Sequence, residues 1–267
     1  MAQVQSLERS LSIMEYLARD PAGASVAQLS QEMGLAKSTV HRLLQTLMAR
    51  GYVQQDQQYG HYQLGVQCLT LASHFLGQLD IRNLAKASLM QLSKDSGEVV
   101  HLCILDRNEA VYIDKVESQQ TLRMYSQVGR RAMLHCTGVG KALLVGFDEQ
   151  QVERLIQEKG LPRFTDTTIT EAKQLEDEIK QIRQQGYAID EQEHEKGIRC
   201  IAAPIFDYEG KVSAAISIAG PIERMTKERV QKDLPSVMLQ HSQLLSKKLG
   251  YRGCSKSTQM ISGESLR

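Results

Sequence analysis

LAKSTVHRLLQTLMARGYV, residues 35–53, decides the fold of the first part of the chain. Apolar residues recur in it every three to four positions, which predicts an amphipathic helix with one buried face. This face consists of Val40, Leu43, Leu44, Leu47 and Met48. The opposite face is polar, and Gly51 is placed to end the helix.

The segments on either side complete a small domain. Two helical patterns precede residue 35, and Ser25 with Gln28 has the spacing of a capping box at the start of the second. Gly34 is placed to end that helix. YVQQDQQYGHYQL, residues 52–64, then predicts two short strands around a polar turn. Three helices and a hairpin predict a winged helix-turn-helix domain over residues 1–65.

The polar face of the third helix and the hairpin are predicted to contact double-stranded DNA. The side chains expected to contact phosphates or base edges are Lys37, Ser38, Thr39, His41, Arg42, Gln45, His61 and Tyr62. The alternative is a solvated helix face, which every amphipathic helix has. Residues 1–64 contain five Lys or Arg and five Asp or Glu, so one domain attracts DNA weakly. We therefore expect a homo-oligomer on a pseudo-palindromic operator.

Residues 66–82 are predicted to form a linker helix. VQCLTLASHFLGQL, residues 66–79, is apolar around most of its circumference and needs partners on several sides. Such a helix pairs with a second subunit or is an ordinary core helix, and the sequence leaves both open. Residues 251–267 are rich in Ser, Gly and Lys and are predicted to be disordered.

Residues 83–250 predict an α+β domain, an antiparallel sheet with helices outside it. Strand patterns occur at residues 98–106, 110–116 and 122–128, and three more lie between residues 187 and 220. Helical patterns begin at residues 83, 138, 148, 170 and 226. Pro235 is expected to interrupt the last helix.

HCTGVGKALL, residues 135–144, resembles a phosphate loop but does not fit one. A Walker A loop needs glycine where His135 stands and Ser or Thr where Ala142 stands. Glycines at a helix start still offer backbone N–H groups to an anion, and a carboxylate fits there. A plain strand-to-helix turn is the alternative. Lys141 is expected to point outward and to pair with a surface acid.

Bulk properties exclude several classes of protein. The net charge is +1, and the five cysteines include no Cys-x-x-Cys pair, which favours reduced thiols in the cytoplasm. No apolar run is long enough for a membrane span, and the N-terminus has no signal-peptide pattern. Asp190, His194 and Cys200 are the best candidates for a zinc site, but their spacing does not support one. We predict no catalytic residues, no metal and no cofactor.

Four segments in this order resemble the IclR family of bacterial transcriptional regulators. They are SLERSLSIMEYLA, LAKSTVHRLLQTLMARGYV, GRRAMLHCTGVGKALL and GIRCIAAPIFDYEGKVSAAISIAGP, and the resemblance covers about residues 5–250. LRMYSQVGRR and GIRCIAAPIFD are most similar to the KdgR-like branch, which senses 2-keto-3-deoxygluconate. The resemblance implies a linker helix, a GAF-like effector domain, dimers that pair into tetramers, and a small carboxylate effector.

The resemblance also implies the effector-binding residues. They are Gly138, Val139, Asp190, Cys200, Ser217 and Ala219, with Ile198 and Met124 as cavity wall. Relatives that bind short keto acids have serine where Ala219 stands, so one hydrogen-bonding group is missing here. The resulting hypothesis is a ligand-responsive regulator, a repressor of a carbon-catabolism operon. The competing hypothesis is an enzyme that acts on a small organic acid and uses its N-terminal domain for protein interaction.

Overall fold

The computed structural model of the chain describes residues 4–57, 59–78, 80–118, 120 and 126–252. The chain forms two compact units, Met1–Leu79 and Asp80–Arg267.

The N-terminal unit is a winged helix-turn-helix, which confirms the prediction. Its elements are α1 (Gln5–Leu17), α2 (Val26–Met33), α3 (Lys37–Ala49), β1 (Val53–Gln55), β2 (Tyr62–Leu64) and α4 (Val66–Gln78). Strands β1 and β2 pair antiparallel as the wing. Ser25 and Gln28 form the capping box of α2, and Gly34 ends that helix in the left-handed conformation. The apolar face of α3 packs into one core with α1 and α2.

Tyr62 corrects one detail of the predicted wing. Its side chain is only 3% exposed and belongs to the core with Ala24 and Val53. The backbone of Tyr62 also bridges to Ala24, which draws the start of β2 inward. The Tyr62 side chain is therefore part of the core, and the expectation that it contacts DNA was wrong.

Helix α4 exposes large apolar side chains. Val66 is 72% and Leu69 is 67% exposed, and Leu71 is exposed as well. An ordinary core helix would bury these residues, so that interpretation of the linker is excluded for the single chain.

The C-terminal unit is an α+β domain, as predicted. Its helices are α5 (Asp80–Ser96), α6 (Gly138–Leu144), α7 (Glu149–Lys159), α8 (Ala172–Gln185) and α9 (Leu234–Lys248). Its strands are β3 (Val99–Asp106), β4 (Glu109–Val116), β5 (Arg131–Ala132), β6 (Ala188–Glu191), β7 (Ile198–Phe206) and β8 (Val212–Pro221). The six strands form one sheet in the order β5-β4-β3-β8-β7-β6, with every neighbouring pair antiparallel.

Helices pack against the sheet in two groups. Helix α6 contacts β7 and β8, α8 contacts α6, and α7 contacts α8. Helices α5 and α9 contact each other, and α9 also contacts β7. The core around α6 includes Val139, Leu143, Cys103 and Ala202. The first turn of α6 is thereby fixed against the middle of the sheet.

Some boundaries differ from the predicted ones. Helix α5 begins at Asp80 rather than residue 83, because Asp80-Ile81-Arg82 continues the helical pattern. Residues 126–128 are not a strand, and the remainder of the predicted strand at 122–128 lies outside the described residues, as does Met124. A π-helical turn, Arg229–Asp233, precedes α9 with Pro235 in its first turn, so the expected interruption is confirmed. Residues 253–267 of the predicted disordered tail also lie outside the described residues.

Candidate functional site

Strand register brings the predicted effector residues together. Asp190 on β6 pairs with Cys200 on β7, and Cys200 pairs with Ala219 on β8. Directly paired residues project on the same side of a sheet. Ser217, two residues before Ala219, lies in the next row on that side.

The first turn of α6 lies against this row because Gly138 has no side chain. A Cβ atom at position 138 would lie 2.5 Å from Cys200 Sγ and 3.3 Å from the Cβ of Ala202. Thr137 caps the helix, and its side chain accepts a hydrogen bond from the N–H of Gly140. The remaining N–H groups of the first turn have no acceptor within the helix.

The space between α6 and the sheet is a cavity of about 90 Å³. All the predicted effector residues that the structure describes line this cavity: Gly138, Val139, Asp190, Ile198, Cys200, Ser217 and Ala219. Met124 lies outside the described residues.

Other polar residues line the same cavity and were not predicted as effector residues. They are His101, Tyr112, Ser126, Arg130, Arg131, Thr137, His194 and Glu195. His101 gave one signal, a polar residue between Val99 and Cys103 at the alternate positions of an apolar strand. The others lie on turns or on β4 and β5, where spacing says little about which way a side chain points.

Asp190 is buried, and the pKa of its carboxyl group is close to neutral pH. Burial, reinforced by the charge of Glu193, raises the pKa of Asp190 to about 7 despite the opposing charge of Lys141. Asp190 Oδ1 accepts a hydrogen bond of 2.7 Å from the N–H of Glu193. A carboxyl group with this pKa is protonated in about half of the molecules at pH 7. Asp190 is therefore able to donate a hydrogen bond to an anion as well as to accept one.

The sequence suggested that Lys141 points outward, but it points into the protein. Its side chain is only 1% exposed, and Nζ donates to Glu193 Oε1 at 2.6 Å and Glu178 Oε1 at 2.8 Å. It also donates to the carbonyl oxygen of Ile189 at 2.6 Å. Burial acts to lower the pKa of Lys141, but these two carboxylates outweigh it and the pKa is raised. Lys141 ties α6 to α8 and β6, and it does not line the cavity.

The thiols near the cavity are not activated. Burial raises the pKa of Cys200 and Cys103 well above 9, and that of Cys136 to about 12. A nucleophilic cysteine needs the opposite shift. Within the described ranges, no group of three or more His, Cys, Asp or Glu side chains is arranged to hold a metal ion.

A second polar surface lies on α3. Lys37, Ser38, His41 and Arg42 are exposed, as is Gln45, whereas Thr39 and the wing residue His61 are partly exposed. The exposure of these side chains therefore leaves the predicted α3 face available to DNA.

None of the helices in the described parts of the chain is long and apolar enough to cross a membrane.

Both units of the chain match domains of a known protein family. Residues 6–57 match the IclR helix-turn-helix domain, and residues 73–246 match the bacterial transcriptional regulator IclR C-terminal domain. The chain is 38% identical over 230 residues to the transcriptional repressor IclR of Escherichia coli, covering 85% of this chain and 84% of that protein.

Two solved structures support the same assignment. The Thermotoga maritima IclR structure is 31% identical, has a TM-score of 0.76, and matches 93% of this chain and 100% of its own. The C-terminal domain of E. coli KdgR is 35% identical, has a TM-score of 0.58, and matches 65% of this chain and 100% of its own. The named relatives are regulators, so the competing enzyme hypothesis is not supported. The chain therefore belongs to the IclR family of bacterial transcriptional regulators and is a DNA-binding regulator rather than an enzyme.

Proposed function

We propose that the protein is a ligand-responsive repressor of a carbon-catabolism operon, with a small carboxylate as effector. The observation that carries this proposal is the shared cavity. Gly138 and Val139 of α6, Asp190 of β6 and Ser217 of β8 are distant in sequence but line one cavity. A chance surface feature would not gather the residues that the family resemblance had singled out.

The chemistry of the cavity suits an anion, and Arg130 and Arg131 are among the residues that line it. The first-turn N–H groups of α6 carry the partial positive charge of a helix start. Ser217 offers a hydroxyl, and Asp190 offers a proton when it is neutral. A carboxylate that takes hydrogen bonds from these groups would be desolvated at little cost, because each oxygen finds donors.

The effector we favour is a keto-deoxy sugar acid such as 2-keto-3-deoxygluconate. The similarity to the KdgR C-terminal domain supports this class. Ala219 supports it as well, since it gives a short keto acid one donor fewer and leaves more room than serine. Binding would alter DNA affinity only to the extent that the effector prefers one state of the protein.

DNA binding requires more than one copy of the chain. The N-terminal unit has balanced charge, so two units on one pseudo-palindromic operator would multiply a weak attraction. The exposed residues Val66 and Leu69 of α4, with Leu7 and Leu11 of α1, offer apolar surface for such a dimer. We expect these dimers to pair into tetramers, as the family resemblance implies.

Calorimetry with 2-keto-3-deoxygluconate tests the site. Gly138→Leu places a side chain where a Cβ alone already meets Cys200, so it should abolish effector binding. Ala172→Leu is the matched control, because it adds the same side chain at the exposed start of α8. Equal affinity in the wild type and Gly138→Leu would remove this cavity from the proposal.

A further inference from the structure

His101 bridges two serines inside the cavity. It lies on β3 directly opposite Ser217 of β8, and it is 2% exposed. Its Nδ1 lies 3.2 Å from Ser217 Oγ, and its Nε2 lies 2.7 Å from Ser126 Oγ. The effector residues implied by the family resemblance include Ser217 but neither His101 nor Ser126.

The imidazole of His101 is neutral. Burial, with the charge of Lys115 added, lowers the pKa of His101 to about 3. A neutral imidazole has one N–H donor and one nitrogen acceptor. One serine must therefore accept a hydrogen bond from the ring, and the other must donate one to it.

This division makes the two serines chemically different. The serine that accepts from His101 keeps its own hydrogen for a ligand acceptor such as a carboxylate or keto oxygen. The serine that donates to His101 has only lone pairs left and suits a ligand hydroxyl. The shorter contact, at Ser126, fits an O–H donor, because hydroxyl donors form shorter bonds than N–H donors.

The positions of the serines match this polarity. Ser217 pairs with Ala202, and Ala202 is close to Gly138, so Ser217 lies at the carboxylate end of the cavity. Ser126 lies on the other side of His101. There, Lys115 Nζ donates a hydrogen bond of 2.8 Å to the backbone carbonyl oxygen of Ser126. Tyr112 meets the His101 ring edge-on at a centroid distance of 5.0 Å and restrains its plane.

We propose that His101 is a positioning residue that makes the cavity specific for hydroxylated acids, with Ser217 directed at the acid and Ser126 at a ligand hydroxyl. This inference rests on the proposed function, because it assigns the two ends of the same effector. It adds a requirement that the carboxylate site alone does not impose: an acid without a hydroxyl should bind distinctly worse.

Calorimetry on the full chain with two matched pairs of acids tests the inference. One pair is 2-keto-3-deoxygluconate and 2-oxohexanoate, which has the same carbon chain without the hydroxyls. The other pair is glycerate and propionate. For the wild type, we expect each hydroxylated acid to bind at least about fivefold more tightly than its partner, as one added hydrogen bond provides.

His101→Phe keeps a ring of similar shape and removes both nitrogen atoms. Ser126→Ala removes one hydroxyl at a partly exposed position and guards against a folding failure of the first variant. Both variants should reduce the preference to less than about twofold, mainly by weakening the hydroxylated acids. Ser213→Ala, a partly exposed serine on β8 that does not line the cavity, should keep the wild-type preference.

An unchanged preference in both variants would overturn the role of His101, and so would an equal loss for both members of a pair. A wild type that binds the members of each pair equally would overturn it too, while leaving the cavity as a carboxylate site. If none of the four acids binds the wild type, the effector site of the proposed function fails, and this inference fails with it.

Discussion

The pH dependence of effector binding follows from the environment of Asp190. Its pKa is raised to about 7 by burial and by Glu193. If Asp190 donates a proton to the effector carboxylate, only the neutral form binds. Between pH 6 and pH 8 the ionised form grows from about a tenth of the molecules to about nine tenths. Effector affinity should therefore be intact below pH 6 and should fall as the pH rises through 7.

The apparent Kd scales with one plus the ratio of ionised to neutral Asp190, so with a pKa of about 7 it rises about tenfold from pH 6 to pH 8. Binding should also take up about 0.5 proton at pH 7 and about 0.9 at pH 8. His194 and Cys200 should contribute little above pH 7. Burial lowers the pKa of His194, whereas it raises that of Cys200 well above 9.

Calorimetry in buffers of different ionisation enthalpy measures both quantities. Asp190→Asn, which stays neutral, should bind the effector with an affinity that is flat from pH 6 to pH 8. A wild-type Kd that stays within twofold over this range, without proton uptake, would refute the reasoning. Asp190 would then be ionised in the complex and would accept hydrogen bonds from ligand hydroxyls instead.

Three further predictions concern stability, DNA and assembly. Lys141→Met should lower the free energy of unfolding by about 3–5 kcal/mol in denaturant titrations, because it leaves the buried carboxylate of Glu193 and the partly buried carboxylate of Glu178 without their ammonium partner. A loss below about 1 kcal/mol would contradict the role assigned to the buried ammonium. Arg42→Ala should cost about 1–3 kcal/mol of operator affinity if Arg42 reads a base. Arg19→Ala, outside α3, should change the operator affinity little. Equal losses in the two variants would mean that Arg42 contributes only its charge. Leu69→Lys should shift the protein toward monomers in sedimentation experiments, and the adjacent exposed Thr70→Lys should not; an unchanged assembly in Leu69→Lys would exclude α4 from the interface.

Local signals in the sequence were sufficient for much of the fold. The capping box at Ser25, the left-handed glycine at Gly34 and the interruption near Pro235 all depend on residues within a few positions of each other. Their outcomes could be predicted because no distant contact competes with them.

Distant contacts explain where the sequence was insufficient. Lys141 was expected at the surface, since lysine is rarely buried unless it is paired. Its partners Glu178 and Glu193 lie on α8 and after β6, and only the packing of these elements makes the burial possible. Tyr62 was misplaced for a related reason, because the bridge of its backbone to Ala24 turns an expected wing side chain into the core.

The candidate site depends on local sequence signals and on distant contacts. The glycine start of α6 and the polar interruption at Ser217 were visible as local patterns, whereas the family resemblance was needed to connect them. His101 was visible only as an isolated polar residue, and its bridge to Ser126 depends on a turn after β4 whose direction the sequence does not specify.

The measurement that tests the central claim most directly is DNA release by the effector. A duplex selected from random sequence by the full-length protein would be titrated, with fluorescence anisotropy, in the presence and absence of 2-keto-3-deoxygluconate. We expect the acid to weaken DNA binding by at least about fivefold in the wild type, a coupling of about 1 kcal/mol, and to have no effect on Gly138→Leu. A selected duplex whose affinity is the same with and without the acid, or equally affected in both proteins, would contradict a repressor controlled through this cavity.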